Sequence, residues 1–198
     1  MTDTELQQIN SEFNEQLQLQ IGGKLKPGHV YKLGNPSEVL INAGIPDIPI
    51  EMAARRLVDK AMQDNHPFNL DELFDVVLAI HNPLAIFRSA THIGSNVIMT
   101  ELKHDRKNFV VAIETNRKLG KVVVNSIRSI HYRSSNLHII GWIIEGLADY
   151  FRADFMDVWY NKMKNELQSK PQYNSVDVRK QLISAANIIE SFESTKDS

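Results

Sequence analysis

The sequence predicts an α+β fold: N-terminal helices, then a four-stranded antiparallel β-meander, with additional C-terminal helices. Three observations predict it. Apolar residues recur at three- and four-residue steps as far as Ile80, β-branched residues gather in four short runs between Leu84 and Tyr132, and helical spacing returns after Asn136. The gaps between the runs are of turn length, too short for crossover helices, so neighbouring strands must run antiparallel. Helices segregated from such a sheet define the α+β class.

Each element has its own warrant. Leu6, Ile9, Phe13 and Leu17 draw one apolar stripe along a polar segment, the pattern of a docking helix or a frayed extension. GGKLKPGHVYKLGNP (22–36) carries four Gly and two Pro and reads as a linker, with the compact part starting near Tyr31. Pro49 then precedes a predicted helix over 50–62, whose Ile50, Ala53, Ala54, Leu57, Val58 and Ala61 share one face. Asn69 and Glu72 form a capping-box pattern at the start of a second predicted helix over 69–80, with Leu70, Leu73, Phe74 and Val77 as its buried stripe. Both helices are expected on one face of the sheet.

LAIFRSA, NVIMTEL, NFVVAIET and KVVVNSIRSIHY follow as strands, divided by IGSN, HDRK and NRKLGK. Ile140, Ile143, Ile144 and Leu147 mark a helix after the sheet, and Val178, Leu182, Ala185, Ile189 and Phe192 mark a last one. The expected organisation is a helical extension and linker over 1–30, an α+β domain over 31–160 and a helical extension over 161–198.

Composition narrows the function classes. At 42% hydrophobic and 23% charged, the chain is that of an ordinary globular protein. It has no Cys, which removes disulfides, Cys-based zinc sites and thiol nucleophiles together. The polar, Gln- and Asn-rich N-terminus is unlike a signal peptide, and no apolar run approaches the ~20 residues of a membrane helix. A cytoplasmic protein without a membrane partner is expected.

Charge is unevenly distributed. From Leu84 to Arg133, nine Lys or Arg face three acids, a surplus of +6 in a chain of −2. Lys and Arg on solvated strand edges discourage aggregation, which is one reading. The other is an electrostatic footprint for a phosphate-bearing partner.

The seven His include no H-E-x-x-H pattern, and neither a phosphate-cradling Gly loop nor a G-x-S-x-G elbow occurs. No metal site and no cofactor are therefore expected, and metal-free acid–base chemistry remains. His66, in a loop between the two predicted helices, has the titration range of a proton shuttle. A loop residue bonding backbone is the alternative. By strict alternation Ser129 shares a face with Asn125, Ile127 and His131, and it either lines a cleft or pairs across the sheet. Lys103 and Arg128 suit phosphate clamps, with Arg88 behind them, and Ser89 has a hydroxyl for the same oxygens.

LGNPSEVLINAGIPDIPI, NHPF, NPLAIFRSAT, TELKHDRKNFVVAI and IRSIHY, in this order between Leu33 and Arg152, resemble the phage MuF C-terminal domain. That family is a module at the ends of large phage and mobile-element polyproteins. The resemblance implies the barnase–EndoU–colicin–RelE-like nuclease fold, two helices followed by a four-stranded antiparallel sheet, and a ribonuclease-type toxin or effector. It points to His66, Ser89, Lys103 and Ser129 as substrate-facing positions. The helices after the sheet depart from the family pattern.

The expected activity is a metal-independent ribonuclease, in which the RNA 2′-hydroxyl attacks its neighbouring phosphate. Catalytic roles fall to His66, Lys103 and Ser129, and substrate contacts to Arg88, Ser89 and Arg128. RNA is the expected partner, beside an immunity protein or a phage structural protein. The rival expectation is a non-catalytic accessory module that binds nucleic acid or protein through its basic sheet.

Overall fold

Helix α1 (Asp3–Ile21) is followed by strand β1 (Val30–Lys32), the short helix α2 (Glu38–Asn42), strand β2 (Ile50–Ala53) and helix α3 (Arg55–Ala61). A 3-10 turn (Leu70–Leu73) and helix α4 (Val76–His81) lead into strands β3 (Ala85–Arg88), β4 (Ser95–His104), β5 (Lys107–Leu119) and β6 (Val122–Tyr132). Helix α5 (Leu137–Ile144) and strand β7 (Ala148–Phe151) follow. The computed structural model describes residues 1–61, 67–132 and 137–155. Two sequence expectations, His66 and the helix through Val178 to Phe192, lie outside them.

Strands β3 to β6 pair antiparallel in chain order, as their turn-length gaps require. They are the middle of a larger sheet. Its order is β1-β2-β6-β5-β4-β3-β7, seven strands and mixed, because β2 lies parallel to β6. The expected four-stranded sheet is thus corrected at both edges.

The parallel edge arises within the helix expected over 50–62. Ile50 and Met52 are buried and Glu51 and Ala53 half-buried, a period of two, and the segment pairs with β1 on one side and β6 on the other. Tertiary pairing outweighs the helical spacing until Arg55. Asn125 of β6 fixes the junction: its side-chain amide donates to the Pro46 and Ile48 carbonyls at 2.7 and 3.0 Å, and its backbone N–H to Pro49 O at 2.9 Å.

The helix expected over 69–80 is broken at Asp75, whose φ of 63° is left-handed. Helix α1 holds it there. Asn10 and Asn14 donate to Asp75 Oδ1 at 2.7 and 2.9 Å, and Asn14 Oδ1 accepts the Asp75 backbone N–H at 3.1 Å. The expected capping box does not form. Asn69 makes no side-chain cap, and the Glu72 carboxylate instead meets His104 Nδ1 at 2.7 Å.

Helix α1 begins with a true capping box between Thr2 and Glu5 and inserts Phe13 and Leu17, both fully buried, into the main core. That core fills one face of the sheet, with Leu40, Leu57, Val76, Val77 and Ile80 against Phe109, Val111, Ile113 and Ile127. The helix after the sheet ends earlier than its spacing predicts. Gly146 adopts φ of 68°, its neighbour Leu147 N–H returns to Trp142 O at 2.9 Å, and the chain comes back as β7 against β3.

Buried His81 joins three segments. Its Nδ1 accepts the Ser37 backbone N–H at 3.2 Å and its Nε2–H donates to Leu33 O at 2.8 Å, so both ring nitrogens are used by the neutral form. Burial holds its pKa below the ordinary 6.5, against the opposing pull of the Leu33 carbonyl. Below 6.5 the unfolded chain takes up a proton that the folded chain resists, so this contribution is complete above 6.5 and fades as pH falls. His81→Phe, which strands the Leu33 carbonyl and the Ser37 N–H, should cost about 2 kcal/mol or more at neutral pH. The stability gap between wild type and variant, read from denaturant melts, should narrow as the solution is acidified. A gap that stays constant would contradict the neutral, buried assignment.

Candidate anion-binding groove

The described residues cover the second face of the sheet only in part. Ala85, Phe87, Val97, Met99 and Val110 point to it and pack beneath Ile139 and Ile143 of α5, with the Trp142 ring 5.2 Å from that of Phe87. Beside Trp142 the face opens into a cavity of about 870 Å³. Ser129, His131 and Arg128 come to it from β6, Glu114 and Ala112 from β5, Arg56 from α3, and Ser89 and His92 from the connection between β3 and β4.

A one-residue bulge shapes the β6 wall. Ala112 pairs with Ser129 but Ile113 pairs with Ile127, so Arg128 is an extra residue in the ladder. Strict alternation would set Arg128 on the face opposite Ser129. The bulge lets both line the cavity, while Ile127 turns into the main core. This corrects the expectation that Ser129, Ile127 and Asn125 share a face: only His131 stays with Ser129, since Asn125 is spent on the Pro46–Ile48 loop.

Positive charge is in excess here. Arg128 meets the Glu114 carboxylate at 2.8 Å, and Arg117 approaches the same oxygen at 3.5 Å. Arg56 Nη1 donates to the Arg128 carbonyl at 3.1 Å. Among the described residues, the Glu114 carboxylate pairs with two of these three guanidinium groups and Arg56 is left with a backbone carbonyl. Burial, then the charges of Arg128, Arg117 and Arg55, hold the Arg56 pKa below its ordinary value, with Glu114 pulling the other way. An anion entering the cavity relieves that repulsion. The Arg128–Glu114 pair is half exposed, so it is worth at most about 1 kcal/mol and is easily exchanged for a ligand.

Ser89 has a structural task as well. Its Oγ accepts the backbone N–H groups of His92 and Thr91 at 3.2 and 3.4 Å, which folds the connection back over the cavity. Thr91 Oγ1 lies 2.7 Å from His92 Nδ1 and steers that ring.

Of the residues singled out from sequence, Ser89, Arg128 and Ser129 come together. Arg88 does not line this cavity. It lies in the adjoining hollow of about 770 Å³, where its guanidinium meets Asp149 at 3.1 Å and the Gly146 carbonyl. Lys103 sits eight residues along β4 from Ser95, roughly 25 Å away by strand rise. Sequence reasoning missed Arg56, which precedes no motif, and left His92 and His131 without roles. The alternation that named Ser129 had the signal for His131. Among the described residues, no cluster of three or more His, Asp or Glu is placed to hold a metal ion, and no helix is long and apolar enough to cross a membrane.

The phage MuF-C-terminal domain family matches residues 57–165, more than half of the chain. The matched segment holds every cavity residue named above except Arg56, which lies just before it. No curated protein and no solved structure matches the chain.

If the cavity is an anion site, Glu114, the one carboxylate among its described lining residues, opposes the ligand. Glu114→Gln should tighten binding of inorganic pyrophosphate by roughly fivefold, the equivalent of about 1 kcal/mol, and Arg128→Ala should weaken it by a similar factor. Isothermal titration at low salt reads both. Equal affinities in the three proteins would remove the electrostatic argument.

Proposed function

As this chain belongs to the phage MuF C-terminal domain family, we propose that its groove binds RNA and cuts it without a metal ion. The observation that carries the reading is the meeting of Arg56, Arg128, Ser129, His92, His131 and Glu114 around one cavity wide enough for a nucleotide. The nuclease fold that the family resemblance implies is part of the same proposal.

In the reaction, the 2′-hydroxyl oxygen of one ribose forms a bond to the adjacent phosphorus and gives up its proton to an imidazole. The bond from phosphorus to the 5′-oxygen breaks, and a second imidazole supplies the proton that this oxygen needs. A 2′,3′-cyclic phosphate and a 5′-hydroxyl result. His131 and His92 bring two imidazoles to the cavity from separate segments, as the two transfers require. Arg56 and Arg128 oppose the charge that grows on the phosphoryl oxygens, usually the largest catalytic term. Ser129 positions the phosphate. His66 and Lys103 remain in the proposal as residues the resemblance implies, and Ser89 acts by shaping the loop that carries His92.

A second reading has an observation in its favour. Arg128 and Arg88 are each already paired with a carboxylate, Glu114 and Asp149, as they would be in a module that only docks onto nucleic acid or protein.

The purified protein should cut total RNA in excess EDTA, leave single-stranded DNA intact for want of a 2′-hydroxyl, and end its products in cyclic phosphate. His131→Ala should lower kcat by about a hundredfold or more. His66→Ala and Lys103→Ala, assayed alongside, decide whether those two take part. RNA that is bound but never cut would favour the docking module, and wild-type rates in His131→Ala would remove that residue from the mechanism.

A further inference from the structure

Beyond the groove, strands β5 and β6 outrun their neighbours. Pairing of β5 with β4 stops at Glu114, and pairing of β6 with β2 begins at Asn125. Past these points, among the described residues, Arg117, Lys118 and Leu119 pair only with Val124, Val123 and Val122. A second register slip, at Asn116 with φ of 53°, separates this two-stranded arm from the body of the sheet. Such ribbons are marginal on their own, so stability gives no reason for the length of this one.

Its chemistry is uniform. Between Thr115 and Val124 the chain carries Arg117, Lys118 and Lys121 and no acid. Lys118 and Lys121 make no ion pair among the described residues, and Leu119, Val122 and Val123 are exposed, Val122 at 57%. The arm also continues the groove. Arg117 shares the Glu114 carboxylate with Arg128, so a line of cations runs from Arg56 through Arg128 to Arg117 at the base of the arm. The basic surplus seen in the sequence is spread out at its other end: Lys103 and Lys107 flank the opposite hairpin, a strand length of roughly 40 Å from the tip.

We infer that the β5–β6 arm is a rail for single-stranded RNA, carrying the backbone of the strand that leaves the groove. The inference rests on the groove being an RNA site and adds that the substrate is a chain, gripped well beyond the cleaved bond. Lys118 and Lys121 neutralise successive phosphates, and the aliphatic side chains between them give riboses and base faces an apolar surface. An electrostatic track of this kind is tolerant of sequence.

The test is the Lys118→Ala/Lys121→Ala double variant, with melting compared with wild type to show that it folds. Its affinity for a single-stranded RNA oligonucleotide, followed by fluorescence anisotropy, should fall, and the slope of log Kd against log salt should decrease by about 1.4, two contacts at ~0.7 each. In cleavage, KM should rise roughly fivefold while kcat holds, as expected for contacts made equally in ground and transition states. A double variant with wild-type slope and KM, when wild type binds and cuts RNA, overturns the rail and leaves the groove reading intact. Wild-type protein that binds no RNA overturns both. Wild-type binding to phosphatidylserine vesicles that the double substitution abolishes, with RNA affinity untouched, would assign the arm to an anionic lipid surface and overturn the rail as well.

Discussion

The antiparallel ladder between β5 and β6 governs much of this molecule, and the place where it slips matters most. A regular ladder sends alternate residues to opposite faces, so Arg128 would be driven toward the core that holds Ile130 and Ile127. A guanidinium cannot be left there without a partner. One extra residue in β6 turns Arg128 outward to Glu114, keeps Ile127 in the core and leaves Ser129 and His131 on the cavity side. A second slip, at Asn116, frees the end of the same pair of strands to project as an arm. Two local irregularities therefore decide where the charge of the sheet is delivered.

The rest of the fold supplies two covers of unequal extent. The main core receives side chains from α1 to α4, with Phe13 and Leu17 of α1 fully buried in it. The other face receives α5, which reaches Phe87 through Trp142, and among the described residues a cavity remains on the Ser129 and His131 side. A concave site with a few convergent polar groups on a packed scaffold is the usual form of a ligand site. Arg56 enters from α3 because β2 adds to the sheet at β6 and delivers the following helix to that edge. The parallel strand pair is thus more than an edge detail. It brings a second guanidinium to the groove.

Much of this was legible in the residues, and the exceptions have specific causes. The four central strands were readable because Val, Ile and Thr fill them and turn residues divide them. Strand β2 was not, since Ile50, Ala53, Ala54 and Leu57 fit a helical face as well as they fit a short strand followed by a helix. The break at Asp75 depends on two Asn side chains more than sixty residues upstream, which no local pattern contains. The groove was half legible: period-two reasoning linked Ser129 to His131, and the basic surplus pointed to Arg128. Bulges defeat alternation, so the faces of Ile127 and Asn125 were misread. Arg56 came from an element whose position only the sheet order reveals.

The central claim is that the bulged Arg128 and the neighbouring Arg56 hold a phosphate of an RNA chain. A structure of the protein with an oligoribonucleotide carrying a 2′-deoxy sugar at one position tests it most directly, because the attacking hydroxyl is missing and the bond survives. The account predicts the phosphate next to that sugar in the groove, with its oxygens about 3 Å from both guanidinium groups and the Arg128–Glu114 contact loosened. An oligonucleotide lodged elsewhere on the protein, with Arg128 still closed on Glu114 and the groove unaltered, would contradict it.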